Sequence, residues 1–311
     1  MSRGAYTHLR DLIRLRYQAR GFSYLPSQPV HSVLSGRKRS RLRGRGLDFD
    51  ELRHYRPGDD IRNMDWRVTR RAGSPFVRVY TEERDRPVWV LVDQRLNMFF
   101  GSQHQMKSVA AAELAALTAW RVLGVGDRIG ALLFNDHEHH LFRPARSSRA
   151  VMGWLETLVK MNHELVADAQ WQPQQSALGA ALKALAPRLS HDGLVIIVSD
   201  FEGWDEDCAQ RIKDIRRDND VIAALISDPL EQSIDLAHKL VVSDGRFQLE
   251  VDSDNSPAAE RYRNQFEERL TTLTEALKRH GIPLLQISTA QEVAGQVQRK
   301  LGAATSRERS A

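Results

Sequence analysis

Val88-Trp89-Val90-Leu91-Val92-Asp93 is the stretch on which the fold turns. It is a strand-length apolar run without polar alternation, ended by a carboxylate, and such a run suits a strand buried on both faces of a parallel sheet. A second run of the same kind, VIIVSD at Val195 to Asp200 within GLVIIVSDF, also ends in a carboxylate, Asp200. Around them the pattern switches to helical spacing. KSVAAAELAALTAWRVLG predicts a long helix, and others are expected at 149–163, 177–189, 205–217, 257–280 and the C-terminus. DRIGALLFND, HHLFRP, VIAALISDP and IPLLQIST supply further strands, and a hairpin is expected from Lys239 to Val251. Strands alternating with amphipathic helices predict an α/β fold with a doubly wound, mostly parallel sheet covered on both sides. In such sheets ligands bind beyond the carboxyl ends of the strands. If their strands are neighbours, Asp93 and Asp200 meet at one rim. Ser176, just before ALGAALKAL, offers a hydroxyl or an N-cap there.

Leu9, Leu12, Ile13 and Arg16 fall at helical spacing, so a short amphipathic helix is expected from Thr7 to Arg20, ending at Gly21. A loop rich in Pro, Ser and Gly follows, with Arg37, Lys38, Arg39, Arg41, Arg43 and Arg45 forming a cationic run. That run is either a solvated linker or a set of phosphate contacts. Short alternating stretches such as PFVRVYTEER, with turns at Pro57-Gly58 and 72–75, read as a small β-rich module. The expected organisation is an N-terminal helix and basic linker over 1–43, the β-rich module over 44–86, the α/β domain over 87–303 and a disordered tail over 304–311.

The net charge of +5 is uneven: residues 1–86 carry 20 Lys plus Arg against 10 Asp plus Glu, whereas the remainder carries 25 against 30. The basic third could face nucleic acid, a membrane surface or an acidic protein. Cys208 is the single cysteine, which excludes an intramolecular disulfide and a Cys-based zinc site. No run approaches the roughly 18 apolar residues of a membrane span, and the start lacks a secretion-signal core, so a cytoplasmic protein is expected. Neither phosphate-binding glycine loop nor a G-x-S-x-G elbow is present, which argues against nucleotide binding and serine catalysis. Asp59, Asp60 and Asp65 lack the acid-x-Lys arrangement of a metal nuclease, and Asp136 to His140 reads as a hairpin tip.

GRGLDFDELRHYRPGDDIRNMDWRVTRRAG from Gly44, followed by VRVYTEERDRPVWVLVD, SDF at Ser199 and ISDPLE at Ile226, resembles the bacterial domain-of-unknown-function family 58. The ending RYRNQFEERL plus GIPLLQIST extends the resemblance to about Leu301. It implies a von Willebrand A-like domain and a MoxR-type AAA+ ATPase as partner. It also implies a metal-ion-dependent adhesion site of pattern Asp-x-Ser-x-Ser with a Thr and an Asp from later loops, whose hard oxygens suit Mg²⁺. Asp93 keeps its place in that pattern, Asn97 replaces a Ser with an amide oxygen, Ser176 replaces the Thr, and Asp200 serves as the later acid. Arg95 is the departure. A guanidinium has five donors and no acceptor, so it competes with a cation for Asp93 or Asp200. The expectation is that Arg95 substitutes for the metal and that no cofactor is bound; the alternatives are weak Mg²⁺ binding through Asp93, Asn97, Ser176 and Asp200 with Arg95 swung outward, and a polar loop cluster that holds no ligand. On this reading the chain is a non-catalytic adaptor whose partner-binding face is that rim. Nucleic-acid binding through the basic run is the second reading and a Mg²⁺-dependent enzyme the third. In the signature, Arg53, Arg56, Asp59, Asp60, Arg62, Asp65 and Arg67 interleave with Tyr55 and Trp66. This is either an ion-pair network fixing loops against the main domain or a docking surface anchored by Tyr55 and Trp66.

Overall fold

The computed structural model describes residues 4–24, 47–82, 86–166, 176–232, 240–243, 248–251 and 257–302. The cationic run from Arg37 to Arg45 and the tail 304–311 lie outside the described residues. The chain divides into two compact units, one of residues 1–27 with 86–311 and the other of residues 28–85.

Helix α1 (Leu9–Arg14), continued by a 3-10 turn at Leu15–Tyr17, belongs to the larger unit and not with the basic linker. Its apolar stripe decides this. Leu12 and Phe22 are buried, the Trp120 indole N–H donates to the Leu12 carbonyl at 2.9 Å, and the Tyr24 hydroxyl meets Thr118 Oγ1 at 2.7 Å.

In the smaller unit β1 (Leu47–His54) pairs antiparallel with β2 (Phe76–Glu82), from Leu47 opposite Glu82 to His54 opposite Phe76. The expected β-rich module also holds a helix, α2 (Trp66–Ala72). Its stop signals were present in DWRVTRRAG. Asp65 accepts from the backbone N–H groups of Arg67 and Val68, and Gly73 closes the helix in the left-handed conformation at φ 71°. Gly58, at φ 105°, makes the expected turn after Pro57.

The larger unit continues through β3 (Val88–Asp93), α3 (Lys107–Gly124), β4 (Ile129–Phe134), β5 (His139–Ala145), α4 (Ser148–His163), α5 (Ala177–Leu185) and β6 (Leu194–Ser199). It then runs through α6 (Glu206–Asp218), β7 (Asp220–Ser227), α7 (Pro229–Gln232), β8 (Leu240–Ser243), β9 (Gln248–Val251), α8 (Pro257–Arg279), β10 (Leu284–Ser288) and α9 (Val293–Leu301). Strands β8 and β9 form the expected hairpin. The main sheet has the order β10-β7-β6-β3-β4-β5, parallel throughout except for the antiparallel edge strand β5.

The unbroken apolar runs are explained by burial on two sides. Val88, Val90 and Val92 point into one core with Ile196, Val198 and residues of α1, α3, α4 and α9. Trp89 and Leu91 point into the other, with Val195, Ile197 and residues of α5, α6 and α8. Alternate residues of one strand thus feed opposite cores, as the period of two requires. At the tip between β4 and β5, the Asn135 side chain accepts from the backbone of His137 and Glu138.

Candidate functional site

Counted from β3, the sheet reads 3-2-1-4-5-6, so β3 and β6 lie side by side while their connections leave in opposite directions. The crevice at their carboxyl ends is the topological switch point, where open α/β sheets carry their sites. Asp93 ends β3, Asp200 follows β6, and both are buried.

Arg95 lies in the same crevice, 2% exposed. Its Nε donates to Asp93 Oδ1 at 3.0 Å and Oδ2 at 3.1 Å, and its Nη2 donates to Oδ2 at 2.7 Å. The Arg95 backbone N–H adds a bond to Oδ1 at 3.0 Å, and Ser199 Oγ donates to Oδ2 at 2.6 Å. Nη1 donates to the Glu202 carbonyl at 3.0 Å, Nη2 lies 3.6 Å from Asp200 Oδ1, and the guanidinium carbon stands 5.6 Å from the centre of the Phe134 ring. Burial alone lowers a guanidinium's pKa, but the charge and hydrogen bonds of Asp93, with the charges of Asp200 and Asp136, outweigh it and raise that of Arg95.

Asp200 is held by a second cation. Lys107, the first residue of α3, places Nζ 2.7 Å from Asp200 Oδ2 and 2.7 Å from Glu231 Oε1. The Asn97 amide nitrogen donates to both Asp200 oxygens at 2.8 Å, and the Glu202 N–H donates to Oδ1 at 2.9 Å. Burial pushes the Asp200 carboxyl up, yet Lys107 and Arg95 bring it below the ordinary carboxylate range. Glu231 moves the other way, because burial exceeds the help it receives from Lys107. Glu231 Oε2 accepts the Asp228 N–H at 2.9 Å, and the Asp228 carboxylate accepts from the N–H of Ser102 and Leu230 and the hydroxyls of Ser102 and Thr289. Between Asp200 and these loops, Phe201 is buried at φ 56°, a left-handed conformation that bulky residues rarely adopt.

Asp93 is also anchored through its backbone. The Gln94 amide donates to the carbonyls of Asp93 and Ser108, both at 3.0 Å, and its oxygen accepts from Asn162 at 3.0 Å. The Asn162 oxygen in turn accepts the Thr7 N–H at 2.9 Å. A fully buried side chain of α4 thus links the N-terminal segment to the rim.

The structure brings Asp93, Arg95, Asn97 and Asp200 together, but Ser176 departs from expectation. It is exposed, its side chain makes no cap hydrogen bond, and it is absent from the hydrogen bonds that Asp93 and Asp200 make among the described residues. Asn97 turns its nitrogen, not its oxygen, toward the site. A hard divalent cation needs several free oxygen lone pairs. Here the lone pairs of both aspartates are directed at nitrogen and hydroxyl donors, and two side-chain cations already balance their charge. This arrangement does not fit such an ion. Lys107 is the principal residue missed from the sequence. Its signal was a cation opening a mostly apolar helix, at the end where the helix dipole disfavours positive charge.

In the smaller unit, Arg53 pairs with Asp59 at 2.7 and 2.9 Å and Arg78 pairs with Asp65 at 2.8 Å. Asp60 caps the 3-10 turn Ile61–Asn63 by accepting from the Arg62 N–H. These bonds hold the smaller unit together internally. Hydrogen bonds to Arg53 and to the Arg56 backbone keep the Asp59 carboxyl below the ordinary range; the Val68 N–H and Arg78 do the same for Asp65. Trp66 stands 68% exposed, and Tyr55 is half-buried.

A switch-point crevice lined by carboxylates, at the carboxyl ends of a 3-2-1-4-5-6 sheet with one antiparallel edge, defines a doubly wound α/β domain. Residues 51–275 match the family described as Protein of unknown function DUF58, and the chain belongs to that family. Uncharacterized protein Rv1480 of Mycobacterium tuberculosis and uncharacterized protein Mb1516 of Mycobacterium bovis are each 27% identical over 277 residues, covering 85% of this chain and 82% of their own. Among solved structures, the conserved hypothetical protein BatB from Bacteroides thetaiotaomicron is 10% identical over 73% of this chain and 100% of its own, with a TM-score of 0.42. A von Willebrand factor type A structure from Catenulispora acidiphila is 12% identical over 74% of this chain and 44% of its own, with a TM-score of 0.36.

Proposed function

We propose that the chain is a non-catalytic protein-interaction module in which Arg95, helped by Lys107, takes the place of the metal of an adhesion site. The observation that carries this reading is the buried guanidinium forked onto Asp93. A bound Mg²⁺ leaves a coordination position for a partner's carboxylate, whereas a tethered guanidinium satisfied by Asp93 and Glu202 leaves none. Partner recognition on this reading is by the shape and polarity of the rim and does not depend on a metal. The partner proposed is a MoxR-type AAA+ ATPase, with the chain presenting client proteins for assembly or maturation; the sequence resemblance supports this choice. The rim has no assignable acid and base pair, because its carboxylates are committed to cations and backbone donors.

The test is calorimetric titration of Mg²⁺ and Mn²⁺ into the wild type and Arg95→Ser, with pull-down of a MoxR-type ATPase by each. No binding by the wild type and binding by Arg95→Ser is the expected result. Micromolar binding by the wild type sinks the substitution, and a wild type that retains no ATPase removes the proposed partner.

A further inference from the structure

Two classes of arginine occupy the smaller unit. Arg53 and Arg78 are engaged by Asp59 and Asp65. Arg62, Arg67, Arg70 and Arg71 are exposed and form no ion pair among the described residues. Arg67, Arg70 and Arg71 are spaced i, i+3 and i+4 on α2, so they share one face of that helix. Trp66 opens the same helix one turn before Arg70, and Ile61, five residues earlier, is 63% exposed. On α2, Trp66 lies beside Arg70 with Arg67 and Arg71 on the adjoining face, so an exposed tryptophan and three guanidinium groups unpaired among the described residues form a mixed apolar and cationic helix face, with Ile61 and Arg62 just before it in sequence. A single exposed apolar side chain is ordinary, but Trp66, 68% exposed, stands within a run of arginines on one helix face.

We infer that this surface, centred on α2, docks an acidic protein segment that carries an apolar side chain. The inference rests on the reading of the chain as a protein-interaction module and names a second surface, on the smaller unit. Charge complementarity selects the occupant. Guanidinium forks match carboxylates bidentately, and Trp and Arg are among the residues enriched at interface hot spots. Ile61 favours protein over nucleic acid, because an aliphatic side chain offers no ring for a base to stack on. The smaller unit is built to hold the surface rigid. Asp65 caps α2 through two backbone N–H groups and simultaneously binds Arg78 of β2, so the helix is fastened to the hairpin at the residue before Trp66.

The experiment uses the full chain and two fluorescein-labelled probes, a peptide alternating glutamate and phenylalanine and a thymidine oligonucleotide of equal charge, read by anisotropy. Trp66→Ser and the triple variant Arg67→Glu, Arg70→Glu, Arg71→Glu are compared with the wild type. A second triple variant, Arg149→Glu, Lys183→Glu, Arg188→Glu, changes the charge of the larger unit equally. All these side chains are exposed, and circular dichroism checks that each variant folds. The expected result is peptide binding by the wild type, weakened about tenfold or more by the two α2 variants and unchanged in the second triple variant. No binding to the peptide, equal loss in the second triple variant, or tighter binding to the oligonucleotide each overturns the inference. ATPase retention by the wild type is scored separately, so loss of the proposed partner and loss of this surface give different patterns.

Discussion

The same chemistry, arginine or lysine on carboxylate, is used twice in this chain with opposite surroundings. At the rim, Asp93, Arg95, Asp200, Lys107 and Glu231 are buried together. In the smaller unit the Arg53 and Asp59 side chains are 35% and 21% exposed. Water screens the second pair and lets each partner be resolvated alone. In the first, each charge depends on its neighbours, because a charge left without its partner in a dry site cannot recover its hydration. The rim is therefore held as a unit, while the smaller unit's ion pairs fix local turns at little energetic stake.

The largest expected effect follows from removing the shared cation. Lys107→Met leaves Asp200 and Glu231 facing the same space, and is expected to cost about 3–5 kcal/mol. Urea unfolding measures it, and a loss below that of an exposed pair breaks the contrast. Adding Glu231→Gln to Lys107→Met relieves the uncompensated charge and is expected to restore part of the loss.

Asn162→Ala removes a neutral but fully buried connection, stranding the Thr7 N–H and the Gln94 oxygen. An expected cost of about 2–3 kcal/mol follows from leaving buried polar groups unsatisfied. Hydrogen exchange should show the segment around Thr7 losing protection first; unchanged protection there refutes the linkage between N-terminus and rim.

Glu113 sharpens the comparison with a half-buried acid that has no paired cation among the described residues. Burial pushes its carboxyl up to about 7, with Glu292 and Asp11 adding to the rise and a hydrogen bond from Gln105 opposing it. The folded state thus keeps a proton that the unfolded state releases from about pH 4.5 upward. This group's contribution to stability falls between about pH 4.5 and about pH 7 and is flat above. Glu113→Gln is expected to be neutral near pH 4.5 and to stabilise by about 2 kcal/mol at pH 8. Thermal melts at the two pH values check it, and a gain independent of pH rejects the assignment.

The smallest effect is expected at Arg53→Ala. Its partner Asp59 also accepts the Arg56 N–H and is partly solvated, so the unfolding midpoint should move less than in Lys107→Met or Asn162→Ala. A shift as large as that of Asn162→Ala would show that the smaller unit's ion pairs carry more than local turns.

The sheet was legible because its evidence is one-dimensional. Unbroken apolar runs such as VWVLVD and VIIVS report burial on two faces, and the long periodic helices fall where the spacing places them. Helix α2 was less legible, since seven residues carry too little periodicity and only the Asp65 cap and Gly73 stop betray it. At the rim, the positions of Asp93 and Asp200 after apolar strands were readable, and so was the anomaly of Arg95. The engagement of Lys107, Glu231, Gln94 and Asn162 was not, because their partners lie 93, 124, 68 and 155 residues away or are shared among several loops.

The sequence by itself determined the doubly wound α/β class, the family and the pair of strand-end acids, because these depend on local pattern and residue type. Only the tertiary structure decided that Arg95 binds Asp93 beside Asp200 while Lys107 bridges Asp200 and Glu231, that Ser176 stays outside, and that the N-terminal helix belongs to the larger unit. The physical reason is that charge pairing is a matter of distance in three dimensions, and folding brings together at 2.7 Å groups that no spacing along the chain relates.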